Sequence, residues 1–183
     1  RLVLIISAII SLATMQAQYL KTGDIVSISF KDFPWGGTND YYTYMEASSS
    51  GILSTNVVND NCLWRLEVDE QNNTYTFQDL TTGKYLRIDN TGSNQEALVL
   101  TDTPNADNRS AFSMTIKDGE EGKYMKGILY YNTVTHWGAQ VQLMMSEYGG
   151  TFLVAGWNAY DLYIEKWEQK GAGSPTGHFN PSK

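Results

Sequence analysis

The sequence predicts an all-β chain, and three observations carry that expectation. Short runs of alternating apolar and polar residues recur about every ten residues, no window after the first twenty residues has helical apolar spacing, and Gly- or Asn-containing turns separate the runs. The runs are Asp24-Ile25-Val26-Ser27-Ile28-Ser29-Phe30, Trp64-Arg65-Leu66-Glu67-Val68, Thr74-Tyr75-Thr76-Phe77, Tyr85-Leu86-Arg87-Ile88 and Phe112-Ser113-Met114-Thr115-Ile116. In each, one set of side chains faces a core and the other faces water. Ten to twelve such strands fit between Gly23 and Trp167.

Arg1 precedes an apolar stretch, Leu2 to Ala13, that leads into Thr14-Met15-Gln16-Ala17. At about a dozen residues it is shorter than the roughly 20 a membrane span needs, and it has the layout of a secretory signal. Residues 1–17 are therefore expected to be removed after Ala17, with part of the basic leader preceding Arg1. A secreted protein, extracellular or periplasmic, with no stable membrane insertion after signal removal, follows. The main domain is expected over 18–169. From Gly171 the composition turns to Gly-Ala-Gly-Ser-Pro-Thr-Gly, so 170–183 read as a flexible tail or linker.

About 165 residues can enclose one core. Cys62 is the single cysteine, so no internal disulfide forms and its position beside Trp64 suits burial. The formal charge of −7, with scattered Lys and Arg, disfavours nucleic acid, anionic membranes and heparin-like polysaccharides as partners.

Turn signals stand at Thr82-Gly83, Thr91-Gly92, Asp118-Gly119, Gly149-Gly150 and Glu70-Gln71-Asn72-Asn73. Between them two phrases return. Tyr44-Met45-Glu46-Ala47 is echoed by Tyr85-Leu86-Arg87-Ile88 and by Tyr124-Met125-Lys126; Trp64, Phe112 and Leu162 head a second phrase at spacings of 48 and 50 positions. A period of this size means one supersecondary unit used three times, each of four strands.

With Tyr85-Leu86-Arg87-Ile88 after a Thr-Gly turn and Trp64 in a Leu-Trp-Arg-Leu strand, residues from Gly23 to Gln169 resemble a β-trefoil of the ricin-B-like lectin group, as found in exported proteins of gut bacteria. The Gln-x-Trp signature of that group is absent at all three places. A β-sandwich or jelly roll is the alternative fold. The resemblance implies a non-catalytic carbohydrate-binding module.

Catalysis finds little support in the residues. The two histidines are His136, with no nucleophile elbow near it, and His178 in the tail. One Cys and two distant His cannot build a zinc shell, and no cofactor or metal is expected. Asp102-Thr103-Pro104-Asn105-Ala106-Asp107-Asn108 is rich in oxygen ligands for calcium, yet lacks the Gly and terminal Glu of a helix-loop-helix site, and reads as a polar loop. Glu120-Glu121 at a hairpin tip read as solvated charges rather than a glycosidase pair.

Aromatics are the stronger lead, since a sugar's C–H face stacks on a flat ring while Asn, Asp or Gln binds its hydroxyls. Trp35, Tyr41, Tyr130, Tyr131, Trp137 and Trp157 fall where loops are expected. The candidate ligand-binding residues are Trp35, Asn39, Asp40, Tyr131, Asn132, Trp137, Gln140, Trp157 and Asn158. Trp64, Phe77, Phe112 and Trp167 are instead expected in core or interlobe packing. The partner is expected to be a glycan held in shallow sites. A protein-binding trefoil acting on a host or extracellular protein, as a protease inhibitor or adhesion module, is the alternative; a polysaccharide-cutting enzyme is the third.

Overall fold

The computed structural model describes residues 19–32, 38–49, 51–90, 96–104, 109–136, 139–145, 152–155 and 161–167, with side chains at 19–31, 42–49, 51–89, 98–104, 109–130 and 161–167. The expected signal over 1–17 and the expected tail over 170–183 lie outside the described residues. The strands are β1 (Ile25–Asp32), β2 (Thr38–Ser48), β3 (Gly51–Thr55), β4 (Leu63–Asp69), β5 (Thr74–Asp79), β6 (Tyr85–Asn90), β7 (Glu96–Thr101), β8 (Ser113–Glu120), β9 (Tyr124–His136), β10 (Ala139–Met145), β11 (Phe152–Ala155) and β12 (Leu162–Lys166). One 3₁₀ turn, Asp60–Cys62, precedes β4; Asn59 accepts the Asn61 N–H and starts it.

The pairings repeat three times. In each unit the first strand pairs with the second and the fourth, and the second with the third: β1 with β2 and β4, β5 with β6 and β8, β9 with β10 and β12. Between units, β4 pairs with β5, β8 with β9, and β12 with β1. Strands β1, β4, β5, β8, β9 and β12 thus close on themselves as a six-stranded barrel, while the hairpins β2–β3, β6–β7 and β10–β11 meet over one end of it. This is the β-trefoil architecture, and closure leaves the barrel without an exposed edge.

Register makes the symmetry residue-specific. The units join through Leu66 opposite Phe77, Met114 opposite Leu129, and Ile164 opposite Ile28, three equivalent pairs whose six side chains are all buried. A second layer has Trp64 opposite Val26, Phe112 opposite Tyr75, and Leu162 opposite Gly127. The spacing of Trp64, Phe112 and Leu162 read from the sequence is therefore the spacing of equivalent barrel positions. Two-residue periodicity puts these side chains inside, and burying them supplies most of the driving force for folding.

Three sequence expectations are corrected. Tyr44 and Tyr85 are equivalent, opposite Ser29 and Gln78, but their third counterpart is Gln142, opposite Tyr130; Tyr124 begins the first strand of its unit, not the second. A Gly turn followed by alternation precedes any strand, so the phrase did not distinguish the two kinds. Asp118 and Gly119 lie inside β8, with the turn at 121–123. Trp167, just past β12, is only partly buried, although its N–H bonds the Ile25 carbonyl at 2.7 Å.

Candidate functional site

Of the residues expected to bind ligand, Trp35, Trp137, Trp157 and Asn158 lie outside the described residues. Asn39 and Asp40 belong to β2, Tyr131 and Asn132 to β9, and Gln140 to β10, with Tyr41 and Tyr130 also on strands rather than loops. The reason is length: β2 has 11 residues, running from its pairing with β1 to its pairing with β3, and β9 has 13, running from β8 and β12 on to β10. Gln140 pairs with Thr135, and a register shift separates it from the Val141–Tyr131 pair. Of the oxygen-rich Asp102–Asn108 loop, positions 105–108 lie outside the described residues.

The best-defined polar constellation lies on the second unit. Leu86 and Ile88 of β6 are buried, so alternation turns Tyr85, Arg87 and Asp89 to the opposite, partly exposed side. The Ile88 N–H bonds the Arg109 carbonyl at 3.0 Å, which brings the segment before β8 against β6. As a result Arg109 Nη1 lies 3.5 Å from Asp89 Oδ1, with the two side chains 30% and 50% exposed. Lys84 Nζ stands 3.4 Å from Asp102 Oδ1 on the same hairpin. A guanidinium and a carboxylate side by side on a half-open face supply both donors and acceptors, the combination that orients a polyhydroxyl ligand.

The threefold register shows how this unit differs from the first. Arg87 occupies the position of Glu46, and Asp89 that of Ser48; Arg109 stands where the first unit has Asn61, and the buried Ser110 where it has Cys62. In the first unit Glu46 Oε1 instead accepts a 2.9 Å bond from Asn59 Nδ2. The charge reversal between Tyr44-Met45-Glu46-Ala47 and Tyr85-Leu86-Arg87-Ile88 was visible in the sequence once the two phrases were aligned. The contact between Asp89 and Arg109 was not, since only the fold joins them.

A second feature runs over the barrel wall. Tyr42 of β2 meets Tyr163 of β12 edge to face at 5.5 Å, Tyr163 lies 6.5 Å from Tyr124 of β9, and Lys126 Nζ sits 4.8 Å from the Tyr163 ring centre. Tyr124 Oη donates to Asp118 Oδ2 at 3.2 Å. Such cross-strand aromatic and cation–π pairs stiffen the wall.

Among the described residues no group of three or more His, Cys, Asp and Glu is placed to hold a metal ion, and no helix is long and apolar enough to cross a membrane. Burial pushes the Cys62 thiol up to about 11, and the nearby Glu46 adds to the rise, against the opposing effect of a hydrogen bond with the Asn59 backbone. Glu120 pairs with Lys123 across the β8–β9 turn.

No protein-family model and no curated protein matches the chain. Solved structures do. The ricin B-like lectin of Macrolepiota procera, in complex with lactose, is similar at a TM-score of 0.55 with 16% identity, over 80% of this chain and 98% of that one. A Polyporus squamosus lectin bound to the epitope Neu5Acα2-6Galβ1-4GlcNAc is similar at 0.52 with 16% identity, over 81% of this chain and 50% of that one. A GlcNAcα1-4Gal-releasing endo-β-galactosidase from Clostridium perfringens is similar at 0.54 with 13% identity, over 79% of this chain but 33% of that one. The fold is thus shared with ricin B-like lectins and with part of a glycosidase. It is a scaffold on which sites differ.

Proposed function

We propose that the chain is an exported, non-catalytic carbohydrate-binding module, and that the second unit carries a binding site. The observation that supports this most directly is the Asp89–Arg109 pair, half exposed on the β6 face of a fold shared with sugar-binding lectins. Asp89 accepts from sugar hydroxyls and Arg109 donates to them, while aromatic rings at Trp35, Tyr131, Trp137 and Trp157 add stacking surface in the other units. Sites of this shallow kind are individually weak and gain strength when several units engage one ligand.

The test is a glycan array probed with the purified protein, repeated with Asp89→Ala. The reading expects a discrete set of bound glycans, a drop of about tenfold or more for the variant, and an unchanged melting temperature. Silence across the array refutes it. Release of reducing ends from the bound glycans would refute the non-catalytic part alone.

A further inference from the structure

Resting on the carbohydrate reading, we propose that the first unit carries a second binding site, for an uncharged sugar, built from Glu46, Asn59 and Asn61 and bordered by Val57 and Leu80. The 3₁₀ turn before β4 lies against β2 and fixes the polar part. Asn59 Nδ2 donates to Glu46 Oε1 at 2.9 Å, and Asn59 Oδ1 accepts the Asn61 N–H at 2.9 Å. Thr81, on the turn after β5, donates its hydroxyl to Asn61 Oδ1 at 3.1 Å. Each bond uses one end of a side chain and so aims the other. Glu46 Oε2 is left as an acceptor and Asn61 Nδ2 as a donor, neither with a hydrogen-bond partner among the described residues. Glu46, Asn59 and Asn61 are all partly exposed, so the arrangement is held in place without being closed off from solvent.

The apolar part comes from the same two segments. Among the described residues two large hydrophobic side chains are exposed, Val57 at 66% and Leu80 at 38%. Val57 stands two positions before Asn59, with its N–H bonded to Thr55 Oγ1 at 3.2 Å; Leu80 precedes Thr81, with its N–H bonded to the Leu63 carbonyl at 3.2 Å. A sugar presents hydroxyl edges and a C–H face, and a donor–acceptor pair beside exposed apolar side chains answers both. The fold does not demand this set of residues, since the positions equivalent to Glu46 and Asn61 hold Arg87 and Arg109 in the second unit. Glu46 supplies the charge of the constellation and Asp60 lies exposed between the two asparagines, which disfavours an anionic sugar and leaves an uncharged one. With the Asp89–Arg109 site, neighbouring units of one chain then carry two sites of different chemistry.

Amide shift mapping by NMR tests this on the wild type and on Asp89→Ala, with lactose and each uncharged glycan bound on the array as probes. At least one probe should move the amides of Val57, Asn59, Asn61 and Thr81, and those shifts should persist in Asp89→Ala. Glu46→Gln and Asn61→Asp keep the bonds to Asn59 and Thr81 but turn the free acceptor into a donor and the free donor into an acceptor. Each should weaken binding at these amides about tenfold and leave shifts at Asp89 and Arg109 unchanged. The map on the unaltered protein gives the same answer should a variant fail to fold. If the array binds glycans while every uncharged probe leaves these four amides unmoved, the proposal is overturned and the carbohydrate reading stands. Loss of the four shifts in Asp89→Ala, or unchanged affinity in both first-unit variants, overturns it likewise, whereas silence of the whole array removes both.

Discussion

Asp24 and Lys166 meet at 2.9 Å between Oδ1 and Nζ, fastening the residue before β1 to the last residue of β12. The carboxylate is 6% exposed, and its Oδ2 also accepts the Lys21 N–H at 2.9 Å. Burial alone raises its pKa; the bonds from Lys166 and Lys21 outweigh burial and hold it below the ordinary 3.8. A carboxylate depressed in the folded state stabilises the protein above its unfolded pKa, and that contribution fades as pH falls through the folded value. Asp24→Asn should therefore cost about 1–3 kcal/mol at pH 7. The gap from wild type should close once the pH is below the folded value, as followed by urea unfolding; a constant gap would refute the assignment.

Gly127 faces the barrel where the other units have Val26 and Tyr75, because a Cβ there would collide with the Thr115 carbonyl. Gly127→Ala should cost about 3 kcal/mol or more, since backbone must move. Gly122→Ala is the contrast: φ is 72° but the space around it is open, so the expected loss is about 1–2 kcal/mol from the left-handed conformation alone. Chemical denaturation of the two variants gives the ranking directly.

At the equivalent positions Trp64, Phe112 and Leu162 the core carries three different side chains, all fully buried. Trp64 Nε1 has no hydrogen-bond partner among the described residues. Replacing the indole by phenyl loses volume but also removes an unsatisfied buried donor, effects of similar size and opposite sign. Trp64→Phe is expected to cost about 1 kcal/mol or less, against about 3–5 kcal/mol for Phe112→Ala. A larger loss for the tryptophan variant would mean that its ring edge has a partner.

The Cys62 thiol is buried and held well above neutrality. Only the thiolate reacts readily. At pH 8 a disulfide reagent should leave the folded protein unmodified and label it stoichiometrically in denaturant; labelling of the native protein at the unfolded rate would contradict that burial.

Some of the fold is legible in the sequence. Alternation in Trp64-Arg65-Leu66-Glu67-Val68 and Tyr85-Leu86-Arg87-Ile88 is a local property of a strand with one wet face, and it identified β4 and β6 directly. Tyr44 and Tyr85, alike in the two phrases, occupy equivalent positions in the first and second units. The third copy expected at Tyr124 does not, because the third unit has Gln142 there and local pattern cannot say which strand of a unit a run belongs to. Tyr41, Asn39 and Asn132 read as loop residues beside Gly and polar neighbours, yet they lie within the long strands β2 and β9. For the site, the sequence held Arg87 and Asp89 in plain view but gave no reason to join them to Arg109.

What the chain order of residues determined by itself was the strand content, the apolar phase of each strand and the spacing of Trp64, Phe112 and Leu162, since side-chain direction in a strand follows from position two by two. Only the tertiary structure decided that Ile164 pairs with Ile28 to close the barrel, and that Arg109 reaches Asp89. Both contacts join residues far apart in the chain, and they are fixed by the packing of three units around one core, a condition no local stretch of sequence expresses.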